Sequence, residues 1–404
     1  MKTGFFAVAA VAAVVAACTG SKPVAWDEAA IENARVQIGM QIDTVEALPG
    51  EFHNPTTVNP DGSVHYCEVT DWRSGFFPGT VWYLYELTGD TALLPYARKY
   101  TEAVAEAQHL KWHHDVGFMV GSSFGNGLRL TGDSAYADAM IEAARSLSTR
   151  FRPHAGIIQS WDVDPGSERE AKGWTCPVII DNMMNLELLF EATRLSGDSS
   201  FHNLAVSHAD RTLKEHFRPD GSCFHVIDYD SISGEVAHRH TAQGCAHSSA
   251  WARGQAWAIY GFTVAYRYTG NPDYLQRATG TFEFMKNHPS MPADKIPYWD
   301  MDAPGIPDEP RDASAAAVIA SALYELSDCP VGADKSLSYR EYADSIMQSL
   351  SSPEYTAAPG ENGRFLLKHS VTSKPANVEI DVPLNYADYY YLEALKRRRD
   401  SSRI

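Results

Sequence analysis

Apolar positions recur at helical spacing along nearly the whole chain, and the intervals between the helical stretches themselves repeat. Segments 26–47, 77–88, 91–109, 117–130, 133–150, 180–195, 199–216, 251–268, 271–287, 311–327, 336–351 and 382–398 each read as a helix with an apolar face. Strand-like alternation is scarce, confined to pieces such as Cys223 to Tyr229. A short turn punctuates the series: Leu87-Thr88-Gly89-Asp90, Leu130-Thr131-Gly132-Asp133, Leu195-Ser196-Gly197-Asp198 and Tyr268-Thr269-Gly270-Asn271, with a divergent fifth copy at Leu326-Ser327-Asp328. Glycine suits the left-handed position that ends one helix, and Asp or Asn caps the next. The repeating unit is therefore a helical hairpin. Twelve helices, joined alternately by tight turns and long loops, predict an all-α fold of six hairpins closed into an (α/α)6 barrel. It forms one domain over 26–398, with a tail at 399–404. An open solenoid is the competing architecture, because repetition alone does not prove closure.

The first residues follow a different rule. Lys2 and the short apolar run Phe5 to Val15, followed by Val15-Ala16-Ala17-Cys18, predict a lipoprotein signal peptide over 1–17 with Cys18 as the lipidated residue. Residues 18–25 read as a tether. The run is too short to stay in a bilayer as a spanning helix. The expected location is periplasm-facing and membrane-anchored, with a plain cleaved signal as the alternative. A net charge of −17 argues against nucleic acid as a partner. Any anionic small substrate then needs a locally basic pocket. Beyond Cys18 the cysteines are Cys67, Cys176, Cys223, Cys245 and Cys329. Their number is odd and no CxxC occurs, so neither a metal cage nor a complete disulfide framework is implied. No cofactor is expected.

Candidate chemistry gathers where the helices begin. Asp181, in Thr175-Cys176-Pro177-Val178-Ile179-Ile180-Asp181-Asn182-Met183-Met184-Asn185, opens a helix among apolar neighbours, with Pro177 read as the helix-starting residue. Burial there favours a carboxyl that keeps its proton near neutral pH and can donate it; a simple helix-capping aspartate is the alternative. Asp115, in His113-His114-Asp115-Val116-Gly117-Phe118, is a second such aspartate, fit to hold ligand hydroxyls or to perturb Asp181. His114 beside it suits a carboxylate when charged or a hydroxyl when neutral. Trp72, in Asp71-Trp72-Arg73-Ser74-Gly75-Phe76-Phe77-Pro78-Gly79, offers a flat face for a sugar ring, or else a core tryptophan beside a turn. Arg253 and Trp257 are four apart and share a helix face. They suit an anionic sugar, carboxylate on one and ring on the other, or simply pack together. The long loops 48–76, 152–179, 217–250, 288–310 and 352–381 fall at one end of the predicted ring. They carry Trp161, Trp174, His225, Gln243 and Trp299 there.

Taken in order, WxxGFFPG, HHDVGF, IIDNMMN, TxQG, SxWxRGQAW and ADYYYLEAL resemble glycoside hydrolase family 88, the unsaturated glucuronyl hydrolases, over nearly the whole chain. The resemblance implies an (α/α)6 barrel. It also implies removal of the 4,5-unsaturated uronic acid from the non-reducing end of lyase-generated oligosaccharides, by hydration of the C4=C5 bond. It places the essential acid/base on Asp181 and the second essential aspartate on Asp115, and it implies a sugar pocket of Trp72, His114, Trp161, His225, Gln243, Arg253 and Trp257. The unsaturated rhamnogalacturonyl hydrolases, a sugar epimerase on the same barrel and a non-catalytic glycan-binding lipoprotein are the competing readings.

Overall fold

Gly89, Gly132, Gly197 and Gly270 sit at helix ends with φ of 69°, 68°, 75° and 68°. Asp90, Asp133, Asp198 and Asn271 then accept the N–H groups of Ala92, Ala135, Ser200 and Asp273. Each of the four turns thus stops one helix and caps the next, as its residue types require. The computed structural model of the chain describes residues 25–50 and 52–401. The segment 1–17, Cys18 and most of the tether lie outside the described residues.

In chain order the elements are α1 (Trp26–Glu46), β1 (Asn54–Val58), β2 (Val64–Cys67), α2 (Phe76–Thr88), α3 (Leu94–Ala103), a π-helical stretch Gly117–Gly125 continued by α4 (Asn126–Thr131), α5 (Ser134–Ser148), β3 (Phe151–Arg152), β4 (Ile157–Ile158), α6 (Glu168–Ala171), β5 (Pro177–Ile179), a 3-10 stretch Ile180–Asn185 continued by α7 (Leu186–Ser196), α8 (Ser199–Glu215), β6 (Val226–Tyr229), β7 (Val236–His240), α9 (Ala252–Thr269), α10 (Pro272–Asn287), α11 (Ala313–Ser327), α12 (Ala333–Leu350), β8 (Ser370–Ser373), β9 (Val378–Val382) and α13 (Asn385–Ser401). The inner ring is α2, the stretch 117–131, the stretch 180–196, α9, α11 and α13. Each packs on the next, and α13 packs back on α2. That last contact closes the barrel and removes the solenoid. α9 and α11 are buried nearly all round, as inner helices must be, whereas the outer helices α8 and α10 bury a single stripe.

The structure departs from the sequence reading in several places, among them the helix expected over 91–109, of which only 94–103 is α-helical. Pro177 lies in strand β5, and the helix behind Asp181 begins as a 3-10 turn. Strands are more numerous than expected: β1–β2, β3–β4, β5–β6–β7 and β8–β9 form small antiparallel sheets in the long loops. These strands are short, and β5 pairs with a β6 far along the chain, so no local alternation announces them. At the fifth turn Ser327 ends α11 with Asp328 in right-handed geometry, and the glycine, Gly332, comes only before α12, extended with a positive φ. The last helix starts at Asn385, after Pro383, and runs through Ser401, past the expected boundary at 398. Cys67, Cys176, Cys223, Cys245 and Cys329 are all free thiols.

Candidate active site

Strand register brings the candidate groups together. β5 pairs with β6 so that Ile179 faces Val226, and the Ile180 N–H donates to the His225 carbonyl at 3.0 Å. Asp181, one residue on, therefore lies beside the His225 side chain. β6 pairs with β7 so that Val226 faces His240, which carries residues 241–243 around the far side of the imidazole. An isolated antiparallel bridge between His113 and Trp161 ties the Asp115 segment to the same wall. Gly117 permits a close approach: a Cβ there would lie 2.5 Å from Asn185 Oδ1 and 2.7 Å from Asn185 Cα. The Phe118 N–H donates to that same Asn185 oxygen at 3.0 Å.

The two aspartates are shifted in opposite directions from the ordinary carboxyl. Burial pushes the Asp181 carboxyl up to about 7, Arg253 opposes the rise, and the charge of Asp115 adds to it. Its Oδ2 is buried without a hydrogen-bond partner, while the side chain as a whole keeps 13% exposure. The group is neither bathed in solvent nor sealed, and Oδ1 is the oxygen left facing the crevice. Burial also pushes on Asp115, but His114, His113 and Asn185 outweigh it and hold this carboxyl below its ordinary value. His114 Nε2 lies 3.3 Å and His113 Nδ1 3.5 Å from its oxygens. Near neutral pH Asp115 is thus a carboxylate, and Asp181 lies close to half-protonated.

The expected sugar-pocket residues divide into a rim and a floor. Trp72, Trp161 and Gln243 are half-buried around the crevice. Trp161 stacks on Trp174 with centroids 6.3 Å apart and meets the His225 ring edge-on at 6.3 Å. His114, His225, Arg253 and Trp257 are buried beneath. Three expectations change accordingly. Trp257 is fully buried against Phe118 and Tyr390, so no sugar can stack on its face; its indole N–H, without a partner of its own, faces Asp181 instead. His114 is pushed down to about 4 by burial, so it is neutral, offers no cation to a substrate carboxylate and lies against Asp115. Arg253 does not pair with Trp257. It stacks over Trp251 (4.6 Å) and Tyr386 (5.4 Å), forms a salt bridge with Asp312 at 3.0 Å and donates to the carbonyls of Val371 and Thr372. Helical spacing puts two side chains on one face but does not fix which way each points.

Those carbonyls belong to β8, in the loop 352–381. Gln243 Nε2 donates to the Thr372 carbonyl at 2.8 Å, and Arg73 bridges Asp71 (2.9 Å) and Glu379 (2.7 Å). The β8–β9 hairpin is thereby fastened across the crevice. Sequence reasoning missed Asp312, Trp251, Asn185, Glu379 and Tyr386. Asp312 is legible as the cap of α11, accepting from Ser314 and Ala315, but its second job of neutralising Arg253 is not. Tyr386 stands immediately before the ADYYYLEAL motif and outside it, yet its ring lies 5.0 Å from Trp72. A cavity of about 840 Å³ lies elsewhere. It lies at the opposite mouth of the ring among paired groups such as Arg267, Glu187, Arg397 and Glu393, and neither Asp181 nor Asp115 lines it. The chemistry of two unlike carboxyls outweighs cavity size in locating the site.

The sequence profile described as Glycosyl Hydrolase Family 88 matches residues 51–400. An unsaturated glucuronyl hydrolase of Formosa agariphila is 48% identical over 338 residues, spanning 83% of this chain and 82% of that protein. The crystal structure of an unsaturated glucuronyl hydrolase specific for heparin aligns with a TM-score of 0.88 at 46% identity, covering 94% of this chain and 98% of the other. A mutant unsaturated glucuronyl hydrolase from Streptococcus agalactiae, complexed with dGlcA-GalNAc6S, aligns with a TM-score of 0.77 at 30% identity, covering 94% of each chain. With this helical ring and this pair of aspartates, the chain belongs to glycosyl hydrolase family 88.

Proposed function

We propose that this protein removes the 4,5-unsaturated uronic acid from the non-reducing end of lyase-generated oligosaccharides, by hydrating the C4=C5 bond rather than by attack at the anomeric carbon. The observation that carries the reading is the contrast between a proton-holding Asp181 and an ionised Asp115 at one crevice. The names of the relatives, unsaturated glucuronyl hydrolases and unsaturated chondroitin disaccharide hydrolases, point to the same substrate class.

The unsaturated sugar is an enol ether, so a proton delivered to C4 leaves cationic character at C5, shared with the ring oxygen. Asp181 gives that proton. The carboxylate so formed takes a proton from a water whose oxygen adds to C5, which restores the acid. The product is a C5 hemiketal; its ring opens, and the C1 hemiacetal releases the leaving sugar. One carboxyl thus serves in turn as acid and base, unlike the paired carboxyls of ordinary glycosidases. A value of about 7 suits both roles, since either protonation state is reachable at neutral pH. Asp115 holds sugar hydroxyls and, as an anion, keeps the proton on Asp181. Trp72, Trp161 and Gln243 line the rim where the sugar rings enter. Arg253 supplies positive potential to the substrate carboxylate in a chain of net charge −17.

The test is loss of the conjugated double bond's ultraviolet absorbance with a panel of defined unsaturated disaccharides. The parent protein consumes the double bond and Asp181→Asn does not. Bound disaccharide with an unchanged absorbance in the parent protein would instead mark a glycan-binding protein. We further infer anchorage through Cys18, resting on the residues before it alone. Cys18→Ala then leaves the protein in the soluble fraction, and an unchanged membrane fraction rejects the anchor.

A further inference from the structure

His225 meets four conditions that together restrict what it can do. The backbone N–H groups of Ala242 (3.1 Å) and Gln243 (3.2 Å) both point at its Nδ1, and Thr241 Oγ1 lies 3.4 Å from the same atom. An atom receiving two N–H donors presents a lone pair, so the proton of the neutral ring is on Nε2. That Nε2 is buried with no hydrogen-bond partner, and it lies 3.7 Å from Asp181 Oδ2, which is also buried and unpartnered. The ring itself is clamped by Trp251, with centroids 4.4 Å apart, and by the edge-on Trp161.

We propose that His225 is a positioning residue with a locked tautomer: the Thr241–Gln243 turn reserves Nδ1 as an acceptor, and Nε2–H, aimed at Asp181 Oδ2, keeps the mobile proton on Oδ1, the oxygen facing the crevice. This rests on the proposed role of Asp181 and adds to it a direction of proton delivery. It also removes His225 from acid–base chemistry. Protonating Nδ1 would set a third N–H against two others, and giving up Nε2–H would leave an imidazolate. The charged and titratable groups around the ring are Asp181, Arg253, His216, Lys172 and His114; burial and Arg253 both disfavour a cation, in keeping with a neutral ring.

Two measurements separate this role from a merely structural or sugar-binding one. Nitrogen NMR of the full-length parent protein carrying ¹⁵N-histidine, with the His225 signals assigned against His225→Gln, should show an unprotonated Nδ1 and a protonated Nε2, with no titration between about pH 5 and 8. A protonated Nδ1, or titration in that range, overturns the proposal whether or not Asp181 is the acid. Second, the pH profile of kcat/KM reports the free enzyme. His225→Leu removes the donor that favours the Asp181 carboxylate, so its alkaline limb should move up by about one pH unit, while His225→Gln, which retains an acceptor and an N–H, stays near the parent. A raised KM with the limb unmoved in His225→Leu would show a sugar contact only and refute the positioning role. If His225→Leu does not fold, the NMR result on the parent protein decides alone.

Discussion

Replacing Asp181 with Asn should make the protein inactive and, above pH 5, more stable. In the folded chain the Asp181 carboxyl lies at about 7, against 3.8 for the unperturbed group, with burial as the main cause. Between those two values the folded state holds a proton that the unfolded state has released, so unfolding becomes easier as pH rises. About three pH units at 1.36 kcal/mol each give roughly 4 kcal/mol, mostly developed by pH 7 and constant above about pH 8. Asn carries no such penalty. The unfolding free energy of Asp181→Asn minus that of the parent should therefore climb by about 1.4 kcal/mol per pH unit from pH 4 to 7 and then level off. Asp388 is also raised to about 7 by burial, but it titrates in both proteins and cancels in the difference. Urea unfolding of the two proteins at pH 4, 5, 6, 7 and 8 measures the quantity directly. A pH-independent difference would show that Asp181 is ionised in the fold and would refute both its stored proton and its role as acid. The expected trade of stability for activity is the usual signature of a functional group kept in a hostile environment.

Two further outcomes follow from neighbouring contacts. Asp115→Asn removes an anion that raises Asp181, so the alkaline limb of kcat/KM should move to lower pH, by about one unit or less, with reduced turnover; a limb moving upward contradicts the coupling. Asp312→Ala strips Arg253 of its buried carboxylate partner and leaves a buried charge with only carbonyl partners, which should cost about 3–5 kcal/mol in urea unfolding. A loss under about 1 kcal/mol would mean that the pair is not buried in solution.

The barrel was legible because its information is local. A glycine that must turn left-handed and an aspartate that must cap are chemical necessities readable four residues at a time, and they mark the same four positions in sequence and structure. Closure was not local: it depends on α13 meeting α2 across the whole chain. The same boundary divides the site. Asp181 and Asp115 were found because an acid among apolar residues is anomalous in any context. Depth was not readable. Trp257 and Arg253 share a face of α9, but only the arrival of Trp251, Asp312 and the β8 carbonyls decides that the indole is buried against Phe118 and that the guanidinium is tied down. The position of His225 depends on β5 finding β6, a pairing between short strands that no periodicity reports.

The central claim is that a proton from Asp181 goes to C4 and water goes to C5. Hydrolysis of an unsaturated disaccharide in D2O enriched in ¹⁸O, stopped early and read by NMR and mass spectrometry, tests it most directly. The account predicts one deuterium at C4 of the released uronic acid, formed by the parent protein and not by Asp181→Asn. A product with C4 unlabelled, the double bond retained and ¹⁸O at the anomeric carbon would contradict it.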